Sequence, residues 1–219
     1  MKPIITTLVI GNDYRKALAK CLISKVEYAK QHSYTYIQAG EEVWDRHRPI
    51  SWSKIPFLLD LCSKHPDGTI IWQSDADVLI TNPSLTIEEH ILPELPPNKD
   101  MLLTFDSCGH INFGNVILRN SPWLRDFLKR VGEQKQFTYH IWWENAAVIH
   151  LYESNRGDKD KIHITKKHTL FNAYLRGLAG EPLWEKGDFL VHFAGVYDPA
   201  QMAKLTDEIL SGKVPRISM

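Results

Sequence analysis

Short apolar runs alternate with helix-spaced segments through the first half of this 219-residue chain, and that alternation leaves few folds open. The run IITTLVI reads as a buried strand. Asn12 or Asp13 is placed to cap a following helix, whose apolar positions Ala17, Leu18, Cys21, Leu22, Val26 and Ala29 recur at helical spacing. A strand returns at YTYIQ. Ser51 or Ser53 then caps a second helix carrying Ile55, Leu58, Leu59, Leu61 and Cys62, which closes near Pro66-Asp67-Gly68 before the apolar run TIIWQ. A βαβαβ order implies a mostly parallel sheet with right-handed crossovers, and ligands of such sheets bind beyond the carboxyl ends of the strands. The site is therefore expected after the first and third strands.

The order becomes mixed beyond that point. MLLTFD and GNVILRN read as strands, Ser121-Pro122 as a cap and first-turn proline, and WLRDFLKRV as an amphipathic helix. A helix is expected around WWENAAVIHLYE, a charged loop at NRGDKDK, strands at KIHITK and DFLVHF, and a last helix from about Pro199. With no internal repeat or linker, residues 1–219 read as one domain whose second lobe, from residue 107, shares the sheet of residues 1–106. Lys+Arg and Asp+Glu are equal at 26 each and no basic stripe is interleaved with aromatics, so nothing draws the chain to nucleic acid. Cys21, Cys62 and Cys108 form no CxxC pair and leave one over in any pairing, which suits a reducing compartment. No signal core and no bilayer-length apolar run is visible, so the expected location is cytoplasmic and soluble, or else the chain is the soluble catalytic domain of a longer anchored protein.

The segment TIIWQSDADVLI places Asp75 and Asp77 at the end of an apolar strand, with only Ala76 between them. In extended geometry side chains two apart share a face, and two carboxylates sharing one face at the edge of a core are costly to desolvate without a cation. Mg²⁺ or Mn²⁺ typically takes one or two carboxylates and completes its shell with phosphate oxygens and water. The pair is thus a candidate for holding a diphosphate through a divalent ion. A solvated turn with two caps is the plain alternative. His192, in the strand DFLVHF, is a core histidine or a third metal donor, and Ala194-Gly195 behind it would let backbone N–H groups approach a phosphate. Tyr14, after the first strand, is positioned for a base, and Lys54, opening the second helix, for the nucleotide's negative charge; surface packing competes for both. Asn112, Gly114 and Asn115 read on their own as a turn ahead of a strand, and Glu144-Asn145 as part of a helix with neighbouring tryptophans in the core.

Taken in order, WSKIPFLL, IIWQSDADVLITNP, INFGNVILRNSPWLRDFL, WWENAAV and FLVHFAG resemble the galactosyl- and xylosyltransferase family that includes fungal Golgi mannan enzymes and plant xyloglucan enzymes. The resemblance implies the glycosyltransferase type A fold: α/β, Rossmann-like, with a mixed, mostly parallel sheet flanked by helices. It implies a glycosyltransferase moving a hexose or pentose from a nucleotide-sugar, a UDP-sugar in the first instance, to a hydroxyl of a glycan or other acceptor, with retention of configuration. Asp75, Asp77 and His192 would bind Mn²⁺ or Mg²⁺. Gly11, Tyr14, Lys54, Ser74, Ala76, Asn112, Gly114 and Gly195 would line the nucleotide-sugar. Glu144 and Asn145 would stand at the reacting carbon, each one methylene different from the family's usual acidic residue and glutamine; in an inverting enzyme Glu144 would be the general base. A lysine shortly after HFxG, frequent in related folds, is absent, and Lys204 is only a distant candidate.

Two other readings share the acidic pair. A haloacid-dehalogenase-type phosphohydrolase also carries DxD after a buried strand, but Leu79 stands where it expects Thr or Val and its strand is normally the first. A non-catalytic nucleotide-sugar-binding or lectin-like module would keep the pocket without the reaction.

Overall fold

The computed structural model describes residues 2–217. Its strands are β1 (Ile4–Leu8), β2 (Thr35–Ala39), β3 (Ile70–Ser74), β4 (Val78–Ile80), β5 (Met101–Phe105), β6 (Ile111–Arg119), β7 (Ile162–Thr165) and β8 (Leu190–His192). The helices are α1 (Asn12–Ala17), α2 (Ala19–His32), α3 (Lys54–Lys64), α4 (Pro122–Glu133), α5 (Trp143–Ser154), the single turn α6 (Arg156–Lys159) and α7 (Pro199–Leu210). Six strands form the central sheet in the order β2-β1-β3-β6-β5-β7, and β4 pairs with β8 in a small antiparallel ribbon. The pairs β1–β2, β1–β3 and β5–β7 are parallel, whereas β6 runs against both neighbours, β3 and β5. Strands β5, β6 and β7 therefore extend the sheet that β1 to β3 begin.

Neighbouring residues on each central strand serve opposite cores, as a pleated strand with both faces covered requires. Ile4, Ile71 and Leu118 pack with Leu58 of α3, Phe127 of α4 and Val148 of α5. Ile5, Trp72 and Ile117, one step along each strand, pack on the other face with Tyr28 of α2, Ile87, Ile91 and Leu190 of β8. A third cluster joins Leu18, Cys21 and Leu22 to Ala76, Phe193 and Met202, so α2 and α7 wrap the end of the sheet that carries the acidic turn.

Several local expectations give way to the structure. The first helix is two pieces broken at Leu18; Gly11 (φ 98°) precedes it, and neither Asn12 nor Asp13 caps it. Val26, expected to be apolar-facing, is exposed. Neither Ser51 nor Ser53 caps α3, because a 3₁₀ turn over Ile50–Ser53 runs straight into it and the Ser53 hydroxyl instead accepts the Asp45 N–H at 3.0 Å. The charged stretch after α5 is the helical turn α6, since Asn155 caps it and Arg130 clamps Asp158 with two bonds of 2.7 Å. Ser121 does cap α4, accepting the Leu124 N–H, with Pro122 in the first turn.

Leu118 lies fully buried on the reversed strand. Leu118→Ala is expected to lower unfolding free energy by about 3 kcal/mol, within the range for buried Leu→Ala changes. Urea unfolding checks this, and a loss below about 1 kcal/mol would contradict the packing described.

Candidate active site

Strand β3 ends at Ser74, and Asp75-Ala76-Asp77 turn the chain into β4, with the Val78 N–H reaching back to the Asp75 carbonyl at 3.3 Å. The two aspartates do not share a strand face as the sequence suggests. The turn brings them together instead: one ligand atom each from Asp75, Asp77 and His192 lie within 4.8 Å of one another. His192 arrives because β8 pairs with β4 in the register Val78↔His192. The turn itself is held from beneath. Thr7 Oγ1 donates to the Ser74 carbonyl at 2.8 Å, Asp75 N–H to the Gly114 carbonyl at 2.8 Å, and Phe193 N–H to the Asp77 carbonyl at 3.1 Å.

The reversed strand supplies the site's floor. Asn112, Gly114 and Asn115 lie within β6 and not in a turn ahead of it, and Asn115 pairs with Ser74. A Cβ on Gly114 would stand 2.7 Å from His192 Cε1 and 2.8 Å from Asp75 Oδ2, distances real Cβ atoms do not tolerate. Glycine at 114 thus leaves the space between the candidate ligands free, and that cradle together with a donor set of two carboxylates and an imidazole fits a divalent cation.

Two lysines and a histidine surround the acidic turn. Lys54, buried at the start of α3, places its ammonium 2.7 Å from Asp75 Oδ1 and 3.1 Å from Glu144 Oε1. Two of its three N–H donors thus lie on carboxylates. Burial alone would pull its pKa down, but Asp75 and Glu144 together raise it well above the usual range. Lys25, fully buried on α2, donates to the carbonyls of Val78 at 2.7 Å and Ala76 at 3.4 Å, tying the acidic turn to the helix. Burial and the charge of Asp77 push the Asp75 carboxyl up despite Lys54, whereas the neighbouring His192 holds Asp77 low against its burial. Two close carboxylates behave so when a second negative charge is unwelcome. Tyr14 reports the same field: burial, then Asp77 and Asp75, drive its phenol far above the usual range.

Glu144 is buried, with Oε1 on Lys54 and Oε2 making no hydrogen bond among the described residues. Asn145 uses both ends of its amide on the start of β6, donating to the Ile111 carbonyl and accepting the Phe113 N–H, each at 2.9 Å. It fastens α5, and with it Glu144, to the sheet. Ala76 is buried, Ser74 Oγ is buried without a partner among the described residues, and Gly11 donates its N–H to Glu41 Oε1 at 2.9 Å. That bond and Arg15 hold the Glu41 carboxyl at about 2. Gly195 has φ 74°, and Arg176 donates to its carbonyl at 2.6 Å while covering the place a Cβ would take. The sequence reading passed over Lys25, Arg176 and Asn172. Only Lys25 carried a signal, a lysine four residues beyond Cys21 on the apolar face of α2.

The sequence profile of the galactosyl transferase GMA12/MNN10 family matches residues 4–96 and 94–201. An uncharacterized alpha-1,2-galactosyltransferase of Schizosaccharomyces pombe is 25% identical over 226 residues, which are 85% of this chain and 57% of that protein. The probable alpha-1,6-mannosyltransferase MNN10 of Saccharomyces cerevisiae is 25% identical over 217 residues, 78% of this chain and 53% of its own length. The chain thus spans little more than half the length of these curated relatives. Among solved structures, a glycosyltransferase involved in glycosylating the major capsid of PBCV-1 superimposes with a TM-score of 0.71 at 16% identity, covering 94% of this chain and 99% of that one. That likeness establishes the fold as glycosyltransferase type A.

Burial lowers the Lys25 pKa from 10.5 to about 8. Between those values the unfolded chain binds the proton and the folded one does not, so stability rises with pH across that window. Chemical denaturation at a series of pH values should show wild type gaining of order 3 kcal/mol from about pH 8 to 10.5 over a Lys25→Met variant, whose profile lacks that rise. Parallel profiles for the two proteins would contradict the buried ammonium.

Proposed function

This chain belongs to the galactosyl transferase GMA12/MNN10 family, and from that premise we propose that it transfers a hexose or pentose from a nucleotide-sugar to a hydroxyl of a glycan or other acceptor. The donor in this reading is a UDP-sugar; a GDP-sugar is the competing class, because a relative of similar identity carries a mannosyltransferase name. The observation that carries the proposal is the convergence of Asp75, Asp77 and His192 beside the cleared space at Gly114. When bound there, Mn²⁺ or Mg²⁺ would neutralise the carboxylate pair and stabilise the departing nucleoside diphosphate as a Lewis acid.

The chain's own residues divide the remaining work. Tyr14 and Gly11, at the carboxyl end of β1, flank the nucleoside side, and the Gly195 turn faces the diphosphate. Glu144 holds one oxygen on Lys54, and its other oxygen, buried and unpartnered among the described residues, is the group assigned here to the reacting carbon. In a retaining transfer that carboxylate stabilises positive charge growing at the anomeric carbon while the leaving phosphate takes the acceptor's proton. In an inverting one it takes that proton itself. The anomer of the product, read by NMR, separates the two. Asn145 fixes the helix that carries Glu144 and so acts by position. The donor half, residues 1–106, and the acceptor half, residues 107–219, meet where His192 and Glu144 join Asp75. Three free cysteines support a reducing, cytoplasmic setting, and no described helix is long and apolar enough to cross a membrane.

A panel of UDP- and GDP-sugars with and without Mn²⁺ tests the reading by thermal shift. One nucleotide-sugar at about 100 times its Kd should raise stability by about 2.7 kcal/mol, on the order of 5–10 °C for a chain of this size, only with the metal present and not in Asp75→Ala/Asp77→Ala. Glu144→Gln should keep that shift and lose transfer by about two orders of magnitude or more. No metal-dependent shift with any nucleotide-sugar, in folded protein, sinks the proposal and returns the phosphohydrolase reading; a shift without transfer in wild type leaves the non-catalytic module.

A further inference from the structure

Behind His192 lies a hydrogen-bonded chain of side chains, nearly all buried, that the reaction as described leaves unused. Asn172 Oδ1 meets His192 Nδ1 at 2.7 Å and Asn115 Nδ2 at 3.2 Å, and Asn172 Nδ2 donates to Thr104 Oγ1 at 2.9 Å and Asn112 Oδ1 at 3.1 Å. Asn172, Asn115 and Thr104 are completely buried. An amide or an imidazole can in principle be turned end for end, so the direction of such a chain has to come from groups that only donate. Two are present. The Gly114 N–H donates to Asn112 Oδ1 at 2.9 Å, which makes that atom the oxygen and turns the Asn172 NH₂ toward it. The Trp72 indole N–H donates to Asn115 Oδ1 at 3.2 Å, which turns the Asn115 NH₂ toward Asn172. Both routes, one along the backbone and one through an indole, leave the same atom of Asn172 facing the imidazole: its oxygen.

We infer that Asn172 is a positioning residue, locking neutral His192 as the Nδ1–H tautomer so that Nε2 faces Asp77 with a lone pair for a divalent cation. The tautomer follows because an acceptor 2.7 Å from Nδ1 requires a hydrogen on that nitrogen. On the neutral ring Nε2 then has none. It stands 3.4 Å from Asp77 Oδ1, so on the neutral ring an acceptor looks at an acceptor, an arrangement that a divalent cation between them, or a second proton on the ring, makes favourable. Without Asn172, Asp77 would attract the ring hydrogen to Nε2 and close the ligand position from within. The tautomer assignment stands on the hydrogen-bond chain alone; its use for a metal rests on the function proposed above.

The first test needs no substitution. Long-range ¹H–¹⁵N correlation spectra of metal-free wild type, recorded as a pH series whose ¹⁵N shifts identify the neutral ring, should show that form of His192 protonated at Nδ1. An Nε2–H ring overturns the inference. Asn172→Leu should move the ring hydrogen to Nε2 and weaken Mn²⁺ binding, measured by calorimetry with the metal alone, by about 10–100-fold. Asn172→Asp, which keeps the acceptor at Nδ1, should keep the wild-type tautomer. A folded Asn172→Leu protein with the tautomer and Mn²⁺ affinity of wild type reduces the residue to a strut and overturns its positioning role. An Nδ1–H ring in a wild type that binds no Mn²⁺ supports the tautomer and contradicts the metal site, so the two claims fail separately.

Discussion

Two carboxylates with one alanine between them sit at the end of a buried strand, and the cost of keeping them there organises the structure around it. Bringing charge out of water is expensive unless it is paired and hydrogen-bonded, and like charges at close range compound the cost. Every element that reaches the turn carries part of the compensation. The lysine of α3 lies on Asp75 and the histidine of β8 beside Asp77, while the lysine of α2 holds the carbonyls of the turn. The compensation remains incomplete for the pair itself, since Asp75 is driven up while Asp77 is held down. A divalent ion is the group that would complete it.

The reversed strand β6 explains how the site is closed off on its other side. Running antiparallel to β3, it brings its beginning, not its end, beside the carboxyl end of β3. That places Gly114 against Asp75 and lets Asn112 and Asn115 direct the amide chain to His192. It also places Ile111 and Phe113 where Asn145 can bind both, so Glu144 enters the same cluster as the acidic turn. A single change of strand direction thus brings the acidic turn, the His192 amide chain and Glu144 together.

How much of this the sequence disclosed depends on whether the determining interaction is local. The βαβαβ alternation, the Ser121 cap and the acidic pair are written in neighbouring residues, and each is found in the structure. Asn112–Asn115 looked like a turn because Asn and Gly favour turns locally. Pairing with both β3 and β5 outweighs that preference. Lys54 read as a cation for the nucleotide or a packed surface residue, because nothing near it in sequence announces Glu144, 90 residues on. Asn172 was invisible for the same reason: its partners come from β5, β6 and β8, and an asparagine between apolar residues has no periodicity to betray it. The family resemblance recovered the motifs and their order, but not the lysine and amide networks that hold them.

The central claim is that Asp75, Asp77 and His192 form one cation site beside the floor at Gly114. Crystals grown with Mn²⁺ and a nucleotide diphosphate, measured at a wavelength where manganese scatters anomalously, test it most directly. The account predicts one strong anomalous peak within bonding distance of all three side chains, with a phosphate oxygen on the same ion. A clearly bound nucleotide diphosphate with no anomalous density at those residues would contradict it.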